Sequence, residues 1–97
     1  KTHIGWNKIK FNQKNDFYKS FNLKKNLDEN YFYFVHSYYP IPENKDLILS
    51  YSNFNSEKFC SSICQKNILA LQFHPEKSSS NGINLIENFL NFIDEND

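Results

Sequence analysis

Gln72-Phe73-His74-Pro75-Glu76-Lys77-Ser78 closes an apolar run that begins at Ile68. The run, Ile68 to Phe73, is short and bounded by polar residues, which predicts a strand rather than a helix. His74 then stands where that strand ends, ahead of the polar stretch Ser78-Ser79-Ser80-Asn81-Gly82 that leads into a helical pattern. Strand ends of this kind are where α/β folds collect their reactive groups. An imidazole there can take a proton from a thiol and pass it to a leaving amine, provided a second group fixes its tautomer. Glu76 is near enough in sequence to do so, and Pro75 restricts both its own φ and the conformation of His74. His-x-Glu alone is also common as a solvated histidine beside a surface acid. A metal reading through His36, His74 and Glu76 matches no strong ligand template.

The strands and helix around this segment follow from periodicity. Tyr31-Phe32-Tyr33-Phe34-Val35 is a continuous aromatic and β-branched run, predicted as a strand buried on both faces. Pro40 and Pro42 follow it and donate to no ladder. Leu47 to Tyr51 and Phe59 to Cys64 read as two more strands, and the Gln65-Lys66-Asn67 step makes the latter a hairpin with Ile68–Phe73. Ile83, Ile86, Leu90 and Ile93, with Leu85, Phe89 and Phe92, recur at spacings of three and four. They predict a helix with a broad apolar stripe, capped by Ser80 or Asn81. Gly5-Trp6-Asn7 reads as a turn, with Lys8 to Phe11 beginning a strand. Residues 12–30 read as a polar surface connection with a helical turn near Phe17–Phe21.

Ninety-seven residues make at most one domain, and 18% aromatic residues are enough to pack an interior. Eleven Lys, with no Arg, balance eleven acids, which argues against nucleic acid or an anionic membrane as partner. No apolar run reaches membrane-spanning length, and no signal-peptide pattern is present. Two cysteines in that setting predict free thiols in a reducing, cytoplasmic compartment. The chain starts at Lys1 and contains no Met, so an amino-terminal portion is expected upstream. Cys60 and Cys64 lack the flanking glycines of a nucleophile elbow and read as buried, inert thiols. The expected nucleophile therefore lies outside these residues.

The FHPEKS segment resembles the His/Glu end of the class I, triad-type glutamine amidotransferases. His3-Ile4-Gly5-Trp6-Asn7 and Tyr31-Phe32-Tyr33-Phe34-Val35-His36-Ser37-Tyr38 are similar to the HMGWN and YFYFVHSY signatures of the glutaminase subunits of imidazole glycerol phosphate synthases. The resemblance implies an α/β, flavodoxin-like three-layer fold, with residues 1–97 as the carboxy-terminal part of one domain. It implies glutamine hydrolysis, with the ammonia delivered to a cyclase subunit in histidine biosynthesis, and no metal or organic cofactor. By the same resemblance His74 is the general base and Glu76 its orienting carboxylate. Ser37 and Tyr38 hold the amino-acid end of glutamine, and Trp6, Asn7, Tyr33 and Lys77 face the cyclase. Lys1-Thr2 and Ile4 depart from the family pattern, although not at the catalytic pair. The rival readings are another class I amidotransferase subunit and a non-catalytic interaction subunit that has lost its nucleophile.

Overall fold

The computed structural model describes residues 2–20, 31–36 and 38–95. In chain order they form β1 (His3–Lys8), β2 (Lys10–Phe11), α1 (Asp16–Lys19), β3 (Tyr31–His36), β4 (Ile48–Phe54), β5 (Glu57–Gln65), β6 (Ile68–Leu71), β7 (Phe73–His74) and α2 (Ser79–Glu95). The architecture is α/β. One antiparallel sheet has the order β1-β3-β7, the other β2-β4-β5-β6, and α2 closes the chain.

Both sheets are fed by strands that switch between them. Ile9, 2% exposed, is the junction at which the chain leaves β1 in the first sheet and enters β2 in the second. Gln72 is the second junction. The expected strand Ile68–Phe73 is thereby two strands: β6 pairs with β5, and β7 pairs with β3. The Gln72 N–H still reaches the Ser61 carbonyl at 2.9 Å, so the bend leaves no backbone donor stranded there. The Gly5-Trp6-Asn7 turn is corrected too. These residues lie in mid-strand, with Gly5 at φ +123°, a conformation glycine adopts freely because it has no Cβ.

Hairpins join the strands of the second sheet. Lys66 and Asn67 connect β5 to β6 as expected, with Lys66 at φ +55°. A further two-residue turn, Asn55-Ser56, connects β4 to β5. Both of its residues have positive φ (54° and 64°), as a type I′ turn requires.

Phenylalanines dominate the core. Phe17, Phe32, Phe34, Phe59 and Phe73 pack with Ile9, Leu49, Cys64 and Leu85. The β3 strand is buried on one face only. Phe32 and Phe34 point inward, whereas Tyr31 and Val35 are 48% and 41% exposed, because nothing among the described residues covers the outer face. The segment after Phe11 is more than a surface connection. Asn15 and Phe17 are each 1% exposed. Asn15 caps α1 by accepting from the Phe17 and Tyr18 N–H groups, and its amide donates to the carbonyls of Asp46, Leu47 and Cys64. A buried amide with every polar atom satisfied ties three segments together. The expected helical turn is found at α1; Phe21 lies outside the described residues.

Helix α2 starts at Ser79, ahead of the expected caps Ser80 and Asn81, which lie within its first turn. Its buried face is narrower than the apolar pattern. Gly82 and Leu85 are buried, and Phe89 and Phe92 meet Phe17, but Ile83 and Leu90 are more than half exposed.

Candidate active site

His74 ends β7, the shortest strand of the first sheet, and lies directly opposite Tyr33 on β3. Tyr33 in turn lies opposite Trp6 on β1. Residues opposite one another in an antiparallel ladder share a face, so Trp6, Tyr33 and His74 form a row across the outer side of this sheet. Phe73, Phe34 and Gly5 form the row beneath it on the core side.

Pro75 stops the ladder, since it has no N–H to donate, and the chain turns through a 3₁₀ segment, Pro75–Lys77. The turn brings the Glu76 Oε2 to 3.1 Å from the His74 Nδ1. Nδ1–H then donates to the carboxylate, which leaves Nε2 as the ring nitrogen with a lone pair to offer. Glu76 is held below the ordinary carboxylate range, first by its own backbone N–H, then by the bond from His74, with the charges of His74 and Lys77 adding to it. It therefore stays ionised wherever a histidine is useful as a base.

Ser78 fixes this turn to the sheet. Its buried hydroxyl donates to the His74 carbonyl at 2.5 Å and accepts the Tyr33 N–H at 2.9 Å. It bridges the Tyr33 N–H and the His74 carbonyl across the end of the ladder. Its role was not foreseen, although its place at the end of FHPEKS gave the signal.

Three of the four residues expected at the partner face converge beside His74. Trp6, 52% exposed, meets the Tyr33 ring edge-on at 5.9 Å, and the Lys77 ammonium stands 6.0 Å from the centroid of the same ring. Asn7 is not with them. It points to the opposite side of β1, where its amide donates to the Asn53 carbonyl at 2.7 Å and approaches His3 Nε2 at 3.3 Å. Tyr38 is 86% exposed, just beyond the end of β3. Ser37 lies outside the described residues.

His36 pairs with His3, not with His74 (Nε2 to Nδ1, 2.9 Å). Among the described residues no group of three or more His, Cys, Asp or Glu side chains converges as a metal site. Cys60 and Cys64 are 5% exposed free thiols. Burial pushes Cys64 up to about 11, and it raises Cys60 against the opposing pull of the Ser62 backbone and Lys45. Neither has the character of an activated nucleophile. A groove of about 1140 Å³ is lined by α1, by Asn44, Asp46 and Leu47, by Cys64 to Asn67 and by the end of α2, and includes neither His74 nor Glu76.

The profile of the family "Glutamine amidotransferase class-I" matches residues 1–92. The chain is 45% identical over 87 residues to the imidazole glycerol phosphate synthase subunit HisH of Pyrococcus furiosus, covering 90% of this chain and 42% of the relative. It is 43% identical over 90 residues to the subunit of the same name from Chlorobaculum tepidum, and 48% identical over 89 residues to HisH 2 of Methanococcus maripaludis. Those alignments take in 92% and 91% of this chain, and 42% and 41% of the relatives. The chain thus spans about two fifths of the length of the curated relatives it matches.

Proposed function

The chain belongs to the class I glutamine amidotransferase family, and from that premise we propose that its parent polypeptide is the glutaminase subunit of an imidazole glycerol phosphate synthase. In this reading residues 1–97 are the carboxy-terminal part of one amidotransferase domain. They supply the base, its carboxylate and the partner-facing row, and a cysteine elsewhere in the polypeptide supplies the nucleophile.

The observation that carries the reading is the 3.1 Å contact between His74 Nδ1 and Glu76 Oε2, on a turn whose surroundings match the family. His74 Nε2 takes the thiol proton as sulfur attacks the side-chain carbonyl carbon of glutamine. The same proton goes to the departing nitrogen, which leaves as ammonia, and a thioester remains. Water, deprotonated by His74, then hydrolyses the thioester to glutamate and returns the thiol. Glu76 remains ionised throughout and steadies the imidazolium.

The ammonia passes to a cyclase partner, and the exposed row Trp6–Tyr33, with Lys77 above it, is the face on which that partner docks. Aromatic rings with polar tips suit a surface that must exclude water yet orient a small polar molecule. Asn7, turned to the other side of β1, contributes through the strand rather than as a contact. Ser37 and Tyr38 hold the amino-acid end of glutamine. No cofactor is required for this chemistry. A protein of this kind works in the cytoplasm.

The test is glutamine hydrolysis by the parent polypeptide assembled with its cyclase. His74→Ala is expected to lower kcat by about 10²–10⁴-fold, the usual contribution of a positioned general base. A wild-type complex that assembles but hydrolyses no glutamine would overturn the reading in favour of a docking subunit.

A further inference from the structure

Tyr38 is 86% exposed, yet the residue two before it and the residue after it both rest on one buried ring. That ring is Phe59, 4% exposed on β5. The His36 and Tyr39 ring centroids lie 4.9 and 5.3 Å from its own. His36 Nδ1–H also donates to the Tyr38 carbonyl at 3.1 Å. The Tyr38 backbone is thus held from both sides while its side chain stands free. Main-chain groups ordered in advance spare a ligand the entropy of ordering them on binding.

The hold after Tyr38 has a second, directed part. The Tyr39 hydroxyl donates to the Glu57 carboxylate, 18 residues further along the chain. Glu57 is the first residue of β5, directly after the tight turn Asn55-Ser56, and it pairs with Phe54 across the ladder. Phe54 stacks on the buried His3 at 4.2 Å. The backbone that carries Glu57 is therefore fixed by a turn, a ladder and a ring stack.

A cavity of about 160 Å³ is lined by His36, Tyr39, Glu57 and Phe59 among others. Packing alone does not close the segment onto the hairpin, and the hydroxyl–carboxylate bond ties the two across that space. Hydrogen bonds to a carboxylate are stronger than those between neutral groups. The bond to Glu57 is also the first cause that holds Tyr39 above the ordinary tyrosine range, so its proton stays on the hydroxyl. Glu57 is exposed and Tyr39 half-buried, so the effect of their bond is local to Tyr38 and Tyr39 rather than spread through the core.

We propose that Tyr39 and Glu57 are positioning residues that clamp the Tyr38 backbone to the β4–β5 hairpin. With Tyr38 in the segment that holds the amino-acid end of glutamine, a step that rests on the proposed function, the clamp sets the affinity for glutamine and not the rate of its hydrolysis.

The first experiment needs no turnover. The backbone order parameter of the Tyr38 amide is measured by ¹⁵N relaxation in the parent polypeptide. It is expected near about 0.85 in the wild type and to fall toward about 0.6 in Tyr39→Phe, which keeps the ring on Phe59 and deletes the hydroxyl. Glu57→Ala, a change at an exposed position, is expected to loosen Tyr38 in the same way. Glu57→Gln keeps an oxygen for the Tyr39 hydroxyl and is expected to restore the wild-type value. A Tyr38 amide that is mobile in the wild type, or as rigid in Tyr39→Phe and Glu57→Ala as in the wild type, would overturn the clamp.

With the cyclase present, KM for glutamine is expected to rise about fivefold in Tyr39→Phe and Glu57→Ala, the loss of one hydrogen bond. An unchanged kcat marks the loss as one of binding alone, and Glu57→Gln is expected to return KM to the wild-type value. A KM that stays flat while Tyr38 loosens overturns the link to substrate. A wild type with a rigid Tyr38 that the variants loosen, but with no glutamine turnover, sinks the amidotransferase reading and leaves the clamp standing.

Discussion

Gly82 lies so close to the backbone of Pro75 that a Cβ at position 82 would sit 1.9 Å from the Pro75 carbonyl oxygen and 2.7 Å from its carbon. Helix α2 therefore rests directly on the turn that carries His74 and Glu76. A side chain there must push helix and turn apart.

Gly82→Ala is accordingly expected to destabilise the parent polypeptide by about 3 kcal/mol, the upper end of the range for overpacking. In a helix with free space the same change would stabilise by about 1 kcal/mol through propensity, so the sign alone is diagnostic. Urea unfolding of the two proteins measures it. A higher midpoint for the variant would show that the helix does not bear on the turn.

Cys60 and Cys64 are expected to resist thiol reagents in the folded protein at pH 8. With Cys64 pushed up to about 11, its thiolate fraction falls roughly 10²-fold below that of a free cysteine. Labelling with a disulfide reagent before and after denaturation reads this directly. Fast modification of either thiol in the native state would contradict their burial.

Ser56→Gly is expected to stabilise the fold by about 1 kcal/mol, since a non-glycine residue at φ +64° bears the steric cost of the left-handed region. Thermal unfolding is a sufficient measurement. A lowered Tm would mean that the serine side chain holds the turn in some other way.

How much of this was legible depended on whether the determinant was local. The His74–Glu76 contact was readable because the two residues are two apart and joined through proline, so a turn suffices to bring them together. The Lys66-Asn67 hairpin was readable for the same reason. The break at Gln72 was not. A continuous apolar run looks the same whether it serves one sheet or two, and only the competition between β5 and β3 for its two halves decides. Asn15 was read as part of a polar connection because composition does not reveal that three distant carbonyls need a donor. The stripe on α2 overcounted because periodicity records which residues are apolar, not which of them are buried: Ile83 and Leu90 stay more than half exposed. The His3–His36 pair was within reach in principle. Each lies in a recognisable segment, and pairing those segments antiparallel with Trp6 opposite Tyr33 places the histidines face to face.

His74 and Glu76 belong to one short turn, and the turn is fastened to β3 through Ser78. A displacement of that strand would therefore carry His74 and Glu76 along as a unit. The direction in which Nε2 points would change, while its ring's 3.1 Å spacing to Glu76 would not. Aim and internal geometry are thus separate mechanical variables here, and a tilt of the sheet changes the first without spoiling the second.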